Sequence, residues 1–180
     1  MLRRITILLL IIFAAVLQSS FLPAVFSGRI VPDIALILTV IWVVSRGFED
    51  SLARIVVLSF FSDILSFRPV GLSVIPLVLI AFGVSSFSKR FMMSQRTWKL
   101  SVAMLLVFFA TIFNGVLVFF LSRLIGYATS GTPDYLTPVL GISIFATAAL
   151  NVITLAAVYF PIKKLEKFLE MYEFKKVILK

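Results

Sequence analysis

Residues 98–124 read WKLSVAMLLVFFATIFNGVLVFFLSRL, and no charged side chain occurs between Leu100 and Leu121. A run this long and this apolar has the length of a helix that crosses a bilayer with some tilt. Hydrocarbon offers no water to satisfy backbone N–H and C=O groups, so a spanning segment must close its own hydrogen bonds as a helix or join a closed barrel. The run lacks the period-2 alternation of a barrel strand, which selects the helix.

Five further apolar runs lie around it. Residues 5–22 follow Arg3 and Arg4 and end at Pro23; residues 30–45 carry Pro32 and Asp33 at their entrance; residues 51–67 contain Asp63. Residues 70–88 contain Gly71 and Pro76 and stop at Lys89-Arg90, and residues 138–160 end at Pro161. The first run is longer than the apolar core of a secretory leader and reads as a retained anchor. The second is short for a span and draws on its flanking residues. Tight loops between the second, third and fourth runs make them antiparallel neighbours, whereas a more polar connection, Gly126 to Thr137, precedes the last run.

The fold class expected is all-α: a polytopic membrane protein of about six transmembrane helices over residues 1–162, followed by a basic tail over residues 163–180. In that tail Leu165, Phe168, Leu169 and Tyr172 fall at i, i+3, i+4 and i+7, one helical face, with Lys163, Lys164, Lys167 and Glu170 largely off it. The spacing predicts a short amphipathic helix lying along the membrane surface.

Composition agrees with a lipid solvent: 61% of the 180 residues are hydrophobic and 14% charged, with a mean hydropathy of +1.14. The chain contains no cysteine and no histidine, which removes disulfides, thiol nucleophiles, imidazole acid–base chemistry and the usual zinc or haem ligands. No phosphate-cradling glycine loop, Gly-x-Ser-x-Gly elbow or His-Glu-x-x-His motif occurs, so neither a cofactor nor a metal is expected.

The net charge of +9 does not point to nucleic acid, because the basic residues sit between apolar runs instead of forming a patch with interleaved aromatics. They read as topology signals and as contacts with anionic membrane lipids. With the N-terminus inside, only Arg29, Arg68 and Arg123 fall outside, and the other fourteen of the 17 basic residues fall inside. That bias predicts a bacterial inner (cytoplasmic) membrane protein with both termini in the cytoplasm.

Few residues inside the runs can carry chemistry. Asp33, after Pro32 at the start of a helix, can accept backbone N–H bonds at the positive end of the dipole. Asp63 lies near the end of its run, where an unpaired charge is costly, at least about 2.5 kcal/mol at the bilayer centre. It faces a pocket or partner, or finishes its helix near Arg68. Asn114 with Gly115, and Asn151, can hydrogen-bond and pack across helices or touch a ligand. Gly71 and Pro76 shape the entrance and course of the fourth helix, the glycine by permitting close backbone contact and the proline by freeing carbonyls. Glu49 and Asp50, beside Arg46 and Arg54, read as a solvated salt-bridge cluster.

Pro32-Asp33 opening an apolar span, a short loop with Gly47, the run Phe60-Phe61-Ser62-Asp63-Ile64-Leu65, then Gly71-Leu72 and a helix ending in Lys89-Arg90 together resemble the rod shape-determining protein MreD family of bacterial inner-membrane proteins. Where that family usually shows glycine just before the Asp63 position, this chain has Ala53 and Ser59. The resemblance implies a non-enzymatic subunit of the cell-elongation machinery that binds MreC and supports RodA, a class B penicillin-binding protein and the MreB cytoskeleton. It implies partner or pocket roles for Pro32, Asp33, Asp63, Gly71, Asn114 and Asn151. The family in turn looks like the six-helix substrate-binding subunits of energy-coupling factor transporters, with a cavity between helices near the outer face.

That likeness supplies a rival reading, a vitamin-uptake subunit with Asn114, Asn151 and Asp63 lining a pocket and Ala14-Ala15 as a poor version of the usual docking patch. A third reading, an intramembrane aspartyl enzyme, needs two facing carboxylates, for which Asp33 and Asp63 are the candidates.

Overall fold

Proline, glycine and charge punctuate the apolar runs into a helical bundle. The computed structural model describes residues 2–26, 30–91, 99–129 and 142–178, and every regular element among them is helical. These are α1 (Leu2–Val16), a π-helical turn (Leu17–Phe21), α2 (Leu22–Val25), α3 (Ile34–Arg46), α4 (Phe48–Leu65), α5 (Val74–Phe91), α6 (Lys99–Thr129) and α7 (Ile142–Ile178).

The first apolar run does not end at Pro23. Val16 and Leu22 both keep right-handed helical angles, so α1, the π turn and α2 form one rod. A proline inside a helix cannot donate to the preceding turn and its ring crowds that turn's carbonyl; widening to a π turn just before Pro23 absorbs both effects.

Three stretches are long and apolar enough to cross a membrane: Ile5–Val25, Leu100–Leu121 and Ser143–Leu165. They make the chain a membrane protein. The remaining runs differ from that pattern for visible reasons. α4 carries Glu49, Asp50, Arg54 and Asp63 among its 18 residues, and α5 ends in Lys89 and Arg90. α3 has 13 residues, roughly 20 Å of helix, against a hydrocarbon layer of about 30 Å.

Burial explains how so short a helix is stable. Every residue of α3 from Ala35 to Val43 is buried, and α1, α4, α5, α6 and α7 all pack on it. A helix apolar on all sides belongs inside a bundle. Around Leu36, Ile41 and Trp42 the core gathers Ile55 and Leu58 from α4, Ile80 and Ala81 from α5, Val107 from α6, and Leu155 and Tyr159 from α7. The one hydroxyl in the buried stretch Ala35–Val43, Thr39, donates to the Ala35 carbonyl at 2.8 Å and so adds no unpaired group.

Gly47 (φ +87°) joins α3 to α4 as a single residue. Arg46 closes α3 and Glu49 and Asp50 open α4, each at the helix end whose dipole it opposes. The acidic pair, exposed beside Arg46 and Arg54, thus also meets the positive end of the α4 dipole.

The last run also continues past its expected end. α7 passes through Pro161 and reaches Ile178, 37 residues in all, or roughly 55 Å. Pro161 is exposed and removes only the hydrogen bond to the Ala157 carbonyl. Residues 163–178 therefore extend a long helix; the side chains of Leu169 and Tyr172, on the expected amphipathic face, lie outside the described residues. The polar connection expected at residues 126–137 is helical to Thr129 and lies outside the described residues beyond residue 129.

α6 and α7 pack tightly at Gly115, where an added Cβ would sit 3.0 Å from Ile144 Cδ1, the free end of a flexible side chain. Gly115→Ala is expected to cost about 1 kcal/mol or less and Gly115→Leu about 2–3 kcal/mol through overpacking. Unfolding by sodium dodecyl sulfate in mixed micelles measures both.

Candidate functional site

The head of α3 collects the polar side chains of four separate elements. Pro32 is buried. Asp33 (φ −93°, ψ 90°) is the N-cap of α3, and its Oδ1 accepts from the Leu36 N–H at 3.0 Å. This is the arrangement that a carboxylate just ahead of a helix favours.

Three amide side chains close around that cap. Gln18, carried on the π turn, donates from Nε2 to Asp33 Oδ1 at 3.1 Å and accepts the Ala35 N–H on Oε1 at 2.8 Å. Asn114 of α6 donates from Nδ2 to Asp33 Oδ2 at 3.2 Å. Asn151 of α7, fully buried, accepts the Asp33 N–H on Oδ1 at 2.7 Å and donates from Nδ2 to Thr111 Oγ1 at 2.9 Å. Thr111 passes its own proton to the Val107 carbonyl at 2.8 Å.

One end of each amide of the α6–α7 pair and both ends of Gln18 are thus bonded at the start of α3. Asp33 spreads its charge over three donors, which is how a carboxylate is tolerated in an apolar bundle. Chemically the arrangement is a clamp: it fixes the register of α1, α6 and α7 against one helix end.

Asp63 belongs to a second arrangement, whose Arg68 charge also acts on Asp33. It is fully buried at the end of α4, and its Oδ2 accepts the N–H groups of Gly71 at 2.9 Å and Ser73 at 3.2 Å. Its main-chain oxygen accepts the Arg68 N–H at 3.0 Å while the Phe67 N–H reaches the Ile64 carbonyl at 3.2 Å, the paired bonds of a Schellman-type helix end. Asp63 Oδ1 and the neighbouring Ser62 Oγ are buried without a partner.

Two expectations change here. Gly71 is not needed for close approach, since an added Cβ would meet nothing within 4 Å; it is needed for its φ of +98°, which lets its N–H turn toward Asp63. Pro76 is the third residue of α5, so its missing N–H falls among first-turn donors that have no helical partner, and it frees no inner carbonyl.

The six candidate residues therefore sort into two groups: Pro32, Asp33, Asn114 and Asn151 at the head of α3, and Asp63 with Gly71 in the α4–α5 turn. The two aspartates share no hydrogen-bond partner. Gln18 and Thr111 escaped the sequence reading, although Gln18 is a lone amide in an apolar run and Thr111 stands three residues before Asn114 on one face of α6. Among the described residues no group of three or more acidic side chains could hold a metal ion. Comparison of the chain with protein-family models, with curated proteins and with solved structures finds no match.

Proposed function

We propose that this chain is a non-enzymatic membrane subunit of the bacterial cell-elongation (rod-shape) complex, a scaffold that binds MreC and supports RodA, a class B penicillin-binding protein and MreB. In this reading all six long helical runs cross the inner membrane and both ends of the chain face the cytoplasm, as the distribution of basic residues favours. The observation that carries the proposal is the closure of the clamp at α3: Asn114, Asn151, Gln18 and Asp33 bind one another, so the polarity of the bundle serves its architecture. What the bundle offers to others is an apolar exterior, with Phe13, Phe82, Phe109 and Phe160 all more than half exposed, suited to lipid and to partner helices.

The vitamin-uptake alternative is less well supported on the same grounds. Its pocket would need Asn114, Asn151 and Asp63 together; the two amides are hydrogen-bonded at the head of α3, Asp63 is held in the α4–α5 turn, and its docking patch would need Ala14 and Ala15, which are buried at 4% and 0% exposure.

Affinity purification of the tagged chain from native membranes in mild detergent, followed by mass spectrometry of proteins and small molecules, tests the proposal. Recovery of MreC with elongation synthases is expected. Recovery of an ATPase-coupled module or a bound vitamin instead would overturn it in favour of uptake.

A further inference from the structure

The turn between α4 and α5 presents an aromatic side chain outward on strained backbone. Phe67 is 94% exposed and has φ +52°, the only described non-glycine residue with positive φ. Glycine is the usual occupant of this position in a Schellman-type end because a Cβ is strained there. A glycine would hold the turn equally well and carry no ring, so the phenyl group itself is the feature that needs a use.

The turn beneath is firmly held. Arg68 and Phe67 donate back to α4, Gly71 and Ser73 donate to the buried Asp63 carboxylate, and Leu72 is buried at 3% exposure. Arg68, Pro69 and Val70 are exposed beside Phe67. The result is a rigid tip bearing a ring, a guanidinium and a branched aliphatic group.

Depth indicates what that tip meets. The 18 residues of α4 span roughly 27 Å, nearly the thickness of a hydrocarbon layer of about 30 Å. In the six-helix reading, with Glu49 and Asp50 at one boundary, Phe67 emerges at the other. Exposed Phe60, Ile64 and Leu65 at the end of α4 are apolar, as are Phe67 and Val70 in the turn.

We propose that the Phe67–Val70 turn is a phospholipid anchor. The phenyl ring and Val70 enter the acyl-chain boundary, and the Arg68 guanidinium pairs with lipid phosphate. Asp63 is a positioning residue, holding the turn that presents them. This rests on α4 crossing the bilayer, as in the six-helix reading above.

Because the chain has no cysteine, a nitroxide spin label at Phe67→Cys or Val57→Cys is unique in the whole protein. Reconstituted in vesicles of phosphatidylethanolamine and phosphatidylglycerol, the label at position 67 is expected just below the phosphate level, colliding severalfold more with oxygen than a water-exposed label does. The label at position 57 is expected near the bilayer centre. Arg68→Glu is expected to move the position-67 label toward water; an unchanged depth would overturn the phosphate pairing. Full access of the position-67 label to a water-soluble nickel chelate, with position 57 still deep, would overturn the anchor and leave the crossing of α4 intact. Aqueous access at position 57 as well would overturn both. A position-67 label immobile and shielded from both quenchers would place it under protein, a second copy of this chain, and would equally overturn the anchor.

Discussion

Asp33→Ala is expected to destabilise the folded bundle by about 3 kcal/mol, a large share of a marginal stability of about 5–15 kcal/mol. The substitution strands three donors, Gln18 Nε2, Asn114 Nδ2 and the Leu36 N–H. Loss of a helix cap costs about 1 kcal/mol. Each interhelical side-chain bond in a membrane bundle contributes about 0.6–1.7 kcal/mol, so the clamp gains its weight from number and not from any single bond. Asp33→Asn keeps one acceptor oxygen and should lose about half as much. Unfolding by sodium dodecyl sulfate in mixed micelles measures the difference, and a double-mutant cycle with Asn114→Ala isolates the shared term. A loss below about 1 kcal/mol would mean that water reaches the stranded donors and that the clamp is not dry.

Asp63→Leu should do damage of similar size, about 3 kcal/mol, but concentrated in one place. It leaves the half-buried Gly71 and Ser73 N–H groups without their acceptor. Hydrogen exchange should therefore accelerate across residues 66–75 while α3 keeps its protection, in contrast to the bundle-wide loosening expected for Asp33→Ala. Because Asp63 is fully buried, any effect on partner assembly must pass through the turn it holds. Unchanged co-purification of partners and unchanged cell shape in cells carrying Asp63→Leu would remove it from the residues that matter for assembly.

The helical fold class was legible because lipid removes the alternatives: an uninterrupted apolar run has one way to satisfy its backbone. The Asp33 cap was legible for an equally local reason, since a proline followed by a carboxylate ahead of an apolar run is a helix start whatever surrounds it. Which residues meet at that cap was not legible. Asn114 and Asn151 stand out in their runs, but their convergence on one backbone N–H and one carboxylate depends on how α6 and α7 stack against α3, a tertiary fact. Gln18 is displaced further still, because its reach follows from the π turn that Pro23 induces. Prolines also misled the reading of helix ends: Pro23 and Pro161 looked like stops, yet packing along the rest of each helix outweighs one lost hydrogen bond. Gly71 shows the converse, a residue visible in the sequence whose place in the fold rests on a dihedral angle and not on a contact.

The shortness of α3 has a consequence for how the chain is made. A 13-residue helix cannot settle alone in a layer of about 30 Å, and its first turn borrows an acceptor from Asn151, 118 positions further along the chain. Until α6 and α7 leave the ribosome, the segment destined for the centre of the bundle lacks part of its covering and the acceptor for the Asp33 N–H, and it must wait beside the insertion machinery. Chains cut short ahead of Asn151 should accordingly be cleared by membrane proteases, however sound their early helices are.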